Sequence, residues 1–292
     1  MKRRFRPEPL RSHAEATGDL PADQFVEIEG QRIHVTSTGE GPGLLLLHGL
    51  TASCYSFREI VPLLSGEFRV VTMDLNGFGL TERPSDPAAY DLAHPADLVA
   101  KVLDRLGITT TAVLGHSYGA AVAAMFSKRF PQHCGRLIFV SPASSFDPLP
   151  WYLKFAPGQE LVYRLCRRLL SDPDRYRRVA GRAFHVRGVF DETVAEVYRG
   201  HLLIEGLRPT WYGFLRSMRD PRYPGSAYDG LEKPVLILGG ENDLIVSSAK
   251  CQALAKRIPG ALLERIADCG HSAPEERPGE VVAAVRRFLA ES

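Results

Sequence analysis

The stretch Thr111-Ala-Val-Leu-Gly-His-Ser-Tyr-Gly-Ala-Ala-Val-Ala-Ala-Met-Phe126 decides how the rest of the chain is read. Thr111 to Leu114 has the apolar, β-branched character of a buried strand. Ala120 to Phe126 is a good helix former. Between them, Gly115-His116-Ser117-Tyr118-Gly119 fits G-x-S-x-G. A strand that breaks sharply into a helix, with serine at the break, is a nucleophile elbow, and its strained turn holds the hydroxyl exposed above the sheet. Gly115 and Gly119 leave space where side chains would crowd the neighbouring strand and helix. The helix start beneath the serine favours negative charge.

So short a pattern also arises by chance, so the flanks must support it. Upstream, Phe25–Glu29 and Arg32–Thr36 read as a hairpin around Gly30-Gln31. Leu44–Leu47 is a short continuous apolar run, as expected of a strand covered on both faces. It ends in His48-Gly49-Leu50-Thr51-Ala52-Ser53. Tyr55–Leu64 reads as a helix, Arg69–Met73 as a strand, and His94–Leu106 as a helix stopped by Gly107. Downstream, Arg136–Val140, Pro234–Leu238 and Ala261–Ile266 read as strands. A helix near 247–258 separates the last two, and a helix over Pro278–Leu289 closes the pattern. Strands alternating with helices predict a mostly parallel sheet covered on both faces.

The alternation breaks once, over residues 144–229. That segment is helix-like and holds 14 of the chain's 26 aromatic residues, including Trp151 and Trp211, enough to line an apolar pocket as well as pack a core. It also carries 13 arginines, which read mainly as a solvated face. Residues 1–22 read as a flexible N-terminal arm, residues 23–143 and 230–292 as the core, and residues 144–229 as a helical cap.

The net charge of +2 gives no reason to expect a nucleic-acid partner. No run of residues is long and apolar enough for a transmembrane span, and the basic start Met1-Lys-Arg-Arg lacks the apolar run of a signal peptide. Five scattered cysteines without C-x-x-C fit free thiols, and a cytoplasmic location is expected. The nine histidines show neither H-E-x-x-H nor H-x-x-x-H spacing, and neither a phosphate-binding nor a dinucleotide loop appears. No metal and no cofactor is expected.

A serine hydroxyl needs a base to take its proton and an acid to hold that base. After Ser117 the chain offers Gly239-Gly-Glu-Asn-Asp243 past one apolar strand and Asp268-Cys-Gly-His271 past the next. Both loops fall at the sheet's C-terminal edge, in the order Ser, Asp, His.

On these motifs, together with His48-Gly49, the chain resembles the α/β-hydrolase fold superfamily, in its capped serine-hydrolase, esterase-like subgroup. The resemblance runs from about residue 24 to 290. It implies an eight-stranded, mostly parallel twisted sheet flanked by helices, with a helical cap inserted after the sixth strand. It further implies Ser117 as nucleophile, His271 as general base and acid, and Asp243 as the orienting carboxylate. Glu241 and Asp268 neighbour Asp243 in the same chemistry, and some relatives draw this acid from the strand end corresponding to 141–147. The backbone N–H groups of Leu50 and Tyr118 would form the oxyanion hole, with His48, Gly49, Gly115 and Gly119 in supporting roles. Thr51, Ser53, His116, Trp151 and Trp211 are candidate substrate contacts. The segment from Asp74 is similar to the family's Asp-x-Arg-Gly-x-Gly-x-Ser loop, with Asn76 and Thr81 replacing Arg and Ser, and is expected to be structural.

Within that family, haloalkane dehalogenases and epoxide hydrolases place aspartate at the elbow, whereas serine implies acyl chemistry. Carbon–carbon bond hydrolases also use serine, but with Asn before it and Trp after the histidine, where this chain has His116 and Ser272. The expected activity is cleavage of a carboxylic ester of a small to medium, largely apolar substrate. Hydrolysis of a C–C bond, lactone, thioester or amide on the same triad is the alternative. A slow-turnover member that binds a small molecule is the third reading, because fold does not fix function.

Overall fold

A computed structural model describes residues 7–144, 155–218 and 223–290. One eight-stranded sheet runs through it in the order β1-β2-β4-β3-β5-β6-β7-β8. The strands are β1 (Phe25–Ile28), β2 (Gln31–Thr38), β3 (Gly43–Leu47), β4 (Arg69–Met73), β5 (Thr111–His116), β6 (Cys134–Val140), β7 (Val235–Gly240) and β8 (Leu262–Ile266). β1 pairs antiparallel with β2, and β2 antiparallel with β4. Every later pairing is parallel.

The Leu44–Leu47 run divides by parity, as side chains on a strand must. Leu45 and Leu47 face one core with Val113, Leu137, Phe139 and Ile237. Leu44 and Leu46 face the other with Leu114, Ile138, Val140 and Leu236. Helices α3 (Ala93–Arg105), α4 (Tyr118–Arg129) and α9 (Ser248–Arg257) contribute to the first core. The second takes residues from α2 (Val61–Leu64), α10 (Ala273–Glu276) and α11 (Pro278–Ala290). Both faces of the sheet are therefore buried, which is why its central strands read as unbroken apolar runs.

Between β6 and β7 the described residues form four cap helices: α5 (Ala156–Leu170), α6 (Pro173–Ala180), α7 (Glu192–Leu202) and α8 (Leu207–Ser217). The expected helix over 55–64 is instead a 3-10 turn, Cys54–Phe57, followed by the short α2. Ser53 accepts a hydrogen bond from the Tyr55 N–H, closing the first turn locally. The expected free arm is likewise different from residue 7 onward. Its helix α1 (His13–Thr17) is closed by a capping box from Ser12 and Glu15. Arg11 exchanges backbone hydrogen bonds with Leu203 and Glu205 of the cap, and Glu8 pairs with Arg199 on α7 at 2.5 Å. Polar backbone that finds partners on the cap has no reason to stay in solvent. No described helix is long and apolar enough to cross a membrane.

Candidate active site

Parallel neighbours bring the chemistry-bearing loops to one edge. β3 and β5 pair with Leu47 opposite Gly115, so the His48-Gly49-Leu50 turn leaves the sheet beside the elbow. The 241–243 and 267–271 loops leave β7 and β8 at the same C-terminal edge, where ligands bind in open α/β sheets.

Ser117 sits at φ 53°, ψ −112°, a conformation costly for any residue with a side chain. Three contacts hold it there. Its N–H donates to Val140 O at 2.9 Å, and its carbonyl accepts from Ala120 and Ala143 N–H, both at 3.1 Å. The two glycines are required by space. A Cβ at Gly119 would meet Leu47 O at 2.1 Å, and one at Gly115 would meet Ala120 Cα at 2.5 Å.

The Ser117 hydroxyl lies 3.0 Å from His271 Nε2, and His271 Nδ1 lies 2.8 Å from Asp243 Oδ2. A carboxylate only accepts, so Nδ1–H donates to Asp243. Nε2 is then a bare lone pair positioned to accept the serine proton. The other Asp243 oxygen accepts from the N–H groups of Ile245 and Val246 at 2.7 and 2.8 Å. Burial raises the Asp243 pKa, but the bond to His271 and its charge, with the two backbone donors, outweigh burial and hold it below the usual range. Of the acids the sequence left open, the structure thus brings Asp243 to the histidine, while Asp147, at the strand end over 141–147, lies outside the described residues. Asp268 projects from a positive-φ turn (48°) ahead of it.

Among the described residues, neither the Leu50 N–H nor the Tyr118 N–H has an acceptor. Tyr118 opens α4, where the first amides have no intrahelical partner. Gly49 lets the two turns approach, since a Cβ there would lie 3.1 Å from Ser117 Cβ. Thr51, next to Leu50, is also in the left-handed region at φ 60°, an outlier for a β-branched residue.

His48 is fully engaged in support of this turn. Its Nδ1–H donates to Gly49 O at 2.7 Å and its Nε2 accepts from Leu75 N–H at 2.9 Å. Burial holds it neutral, with its pKa below the usual value. Asp74 is structural, as expected, and accepts from His34, Leu80 and the Cys54 N–H. Asn76, at the position of the family motif's arginine, accepts from Gln31 Nε2–H and donates to Ala89 O.

The candidate contacts divide. Thr51 lines two cavities, one of about 460 Å³ that also touches His116 and His271, and one of about 290 Å³ that touches Trp211. Ser53 is corrected to a structural residue, because it is buried and its hydroxyl serves Tyr55 N–H and His201 Nδ1. Trp151 lies outside the described residues. His116 donates Nε2–H to the His271 carbonyl at 2.9 Å, and its ring lies 5.0 Å from that of His271. Burial and then the His271 charge push its pKa down to about 3.

Sequence reasoning missed how the cap grips the His271 loop. The His271 N–H donates to Ala183 O of the cap at 2.8 Å. Glu276 accepts from His185, Val186 and Gly270 N–H with one oxygen and from Ser272 N–H with the other. Its neighbour Glu275 accepts from Arg58, from the Ser272 hydroxyl, and from Tyr198 of α7. Burial raises the Glu275 pKa despite these donors. Two adjacent glutamates after the histidine look like an ordinary solvated helix start, so the sequence carries no signal for this clamp.

Comparison with known proteins agrees with the architecture. The soluble epoxide hydrolase of Corynebacterium sp. (strain C12) is 26% identical, over 90% of this chain and 95% of its own. The 2-hydroxymuconate semialdehyde hydrolase of Pseudomonas sp. (strain CF600) is 27% identical, over 90% of this chain and 92% of its own. A solved thermophilic esterase from Thermogutta terrifontis superposes with a TM-score of 0.72 at 25% identity, covering 91% of this chain and 96% of that one. The model of the alpha/beta hydrolase fold family matches residues 42–278, and the chain belongs to that family.

Proposed function

We propose that this protein is a serine hydrolase that cleaves a carboxylic ester of a small to medium, largely apolar substrate through an acyl-enzyme. The observation that carries this reading is the continuous relay from the Ser117 hydroxyl through His271 to Asp243. In the proposed course, His271 Nε2 takes the Ser117 proton as Oγ attacks the ester carbonyl. The resulting oxyanion lies toward the unpaired N–H groups of Leu50 and Tyr118, each worth about 3–4 kcal/mol in such a transition state. The imidazolium, steadied by Asp243, then protonates the departing alkoxide. Water, deprotonated by the same histidine, releases the acid and restores Ser117.

Serine at the elbow separates this chain from the chemistry named for its epoxide-hydrolase relative, because aspartate is the residue that forms an alkyl ester by displacement. A second reading, cleavage of a C–C bond on the same residues, draws support from the 2-hydroxymuconate semialdehyde hydrolase relative. His116 and Ser272 stand where that subgroup has Asn and Trp, so the ester reading is preferred. Substitution Ser117→Ala is expected to lower turnover of p-nitrophenyl butyrate by on the order of 10⁴-fold or more with an unchanged melting temperature. A fluorophosphonate should label Ser117 in the parent protein alone. Retained ester turnover in the variant would overturn the reading, and turnover confined to vinylogous diketones would favour the second.

A further inference from the structure

Two cavities meet at the oxyanion turn, and they differ in chemistry and in what they touch. The larger, of about 460 Å³, sets His271, His116 and Arg182 among apolar groups such as Phe184 and Phe190, with Ser272 and Glu275 in its wall already bonded to each other. It opens past Leu244 and Ile245, both exposed. The smaller, of about 290 Å³, lies beneath α5 and α8 and is walled by apolar and aromatic groups, among them Phe78, Leu202 and Phe214. Its Thr210 hydroxyl is already spent on Gly206 O and Tyr90. Leu50 and Thr51 border both cavities, and so do Tyr176, Val179 and Ala180 of α6, which stands as a ridge between them.

We infer that the smaller cavity holds the acyl chain and the larger one the departing alcohol, so that the substrate is a medium-chain acyl ester of a bulkier, polar-bearing alcohol. This assignment rests on the ester-hydrolase reading and deepens it. The argument is one of proton delivery. On the ester reading the carbonyl oxygen lies toward the Leu50 N–H, and Leu50 borders both cavities, so the two halves of the ester can part there. The half that leaves must receive its proton from His271 Nε2, and His271 borders only the larger cavity. The acyl half remains bonded to Ser117 and takes the other path. The larger cavity's walls are mainly apolar too, but it carries the Arg182 side chain and opens past Leu244 and Ile245, which suits an alcohol that must return to water. Apolar walls suit a hydrocarbon chain that gains by burial.

The volume sets the length. At about 30 Å³ for each closely packed non-hydrogen atom, the share of a water in the liquid, the smaller cavity holds about ten. Cys166 of α5 borders this cavity and not the other. Trp211 of α8 closes part of the same wall.

The test compares p-nitrophenyl acetate, butyrate, octanoate, decanoate and myristate with butyrate esters of alcohols from ethanol to octanol. In the parent protein kcat/KM should climb from acetate to octanoate or decanoate, by at most about fourfold for each methylene buried, and fall at myristate. Cys166→Phe fills the smaller cavity and should lower the octanoate-to-acetate ratio by about tenfold or more, leaving the ranking of alcohols in place. Trp211→Ala enlarges it and should move the optimum toward longer acyl chains, which keeps the test decisive if the first variant does not fold. A shifted alcohol ranking with a constant acyl ranking would overturn the assignment and reverse the two cavities. Rankings unchanged in both variants would overturn it altogether. Absence of turnover on every ester by the parent protein would remove the hydrolase reading and the assignment together, an outcome distinct from the other two.

Discussion

Asp243 serves its own loop with one oxygen and His271 with the other. This division makes Asp243→Asn an informative change. The amide oxygen can keep the bonds to Ile245 and Val246, so the loop should hold its shape. The amide nitrogen then faces His271 Nδ1 and donates to it. The ring must place its proton on Nε2, where it can no longer accept from Ser117. Ester turnover should fall by on the order of 10³–10⁴-fold, with a melting temperature close to that of the parent. Loss of activity matched by a large loss of stability would mean that the carboxylate acts mainly as a loop anchor.

Two elements, the elbow and the four-residue α10, illustrate what sequence can and cannot convey. The elbow is legible because its constraints are local. Strand, positive-φ serine and helix follow one another within sixteen residues, and the glycines answer contacts with the helix start (Gly115) and with the adjacent strand (Gly119). Gly119→Ala would drive a Cβ into Leu47 O. It should cost about 1–3 kcal/mol or more by overpacking, read by thermal melting, and should lower kcat further by shifting Ser117. The central strands are legible for a related reason, since two-sided burial leaves a continuous apolar run. The 3-10 turn at Cys54–Phe57 was not, because an apolar period of ten residues is too short to separate one helix from two turns. The clamp at α10 was not legible either. Glu276 meets His185 and Val186 across about ninety positions, and nothing near it in sequence marks it as buried. Glu276→Gln would set an amide N–H against at least one of these backbone donors. Each bond to the carboxylate is worth about 1.5–3 kcal/mol, so the variant should melt earlier. It should also show faster amide exchange at 183–186 and 269–272, with kcat on butyrate reduced more than KM is raised. An exchange pattern identical to the parent's would show that the cap holds the His271 loop by packing alone.

For the molecule as a whole, the site imposes a cost in acid. His116, packed against His271, and His48, beneath the 49–51 turn, are buried as neutral rings, and burial lowers the pKa of each. An unfolded histidine titrates near 6.5, whereas folded His116 does so at about 3. Between these values the unfolded chain binds more protons, so stability falls as pH drops below about 6.5. Asp74 and Asp243, both depressed in the folded state, contribute stability that is lost only as pH falls below about 4. Glu275, raised by burial, acts in the opposite sense: the folded state takes up its proton first, which offsets part of the loss as pH falls toward 4.5. The melting temperature should therefore begin to decline between pH 6.5 and 5, before most carboxylates titrate. His116→Gln isolates the cause. Glutamine retains an N–H donor for the His271 carbonyl but does not ionise, so its melting temperature should change less between pH 7 and 5 than that of the parent. Calorimetry across this range decides the matter. Parallel declines in the two proteins would place the acid sensitivity elsewhere, and a flatter curve for the variant would show that a residue packed against His271 limits how far into acid the whole fold can work.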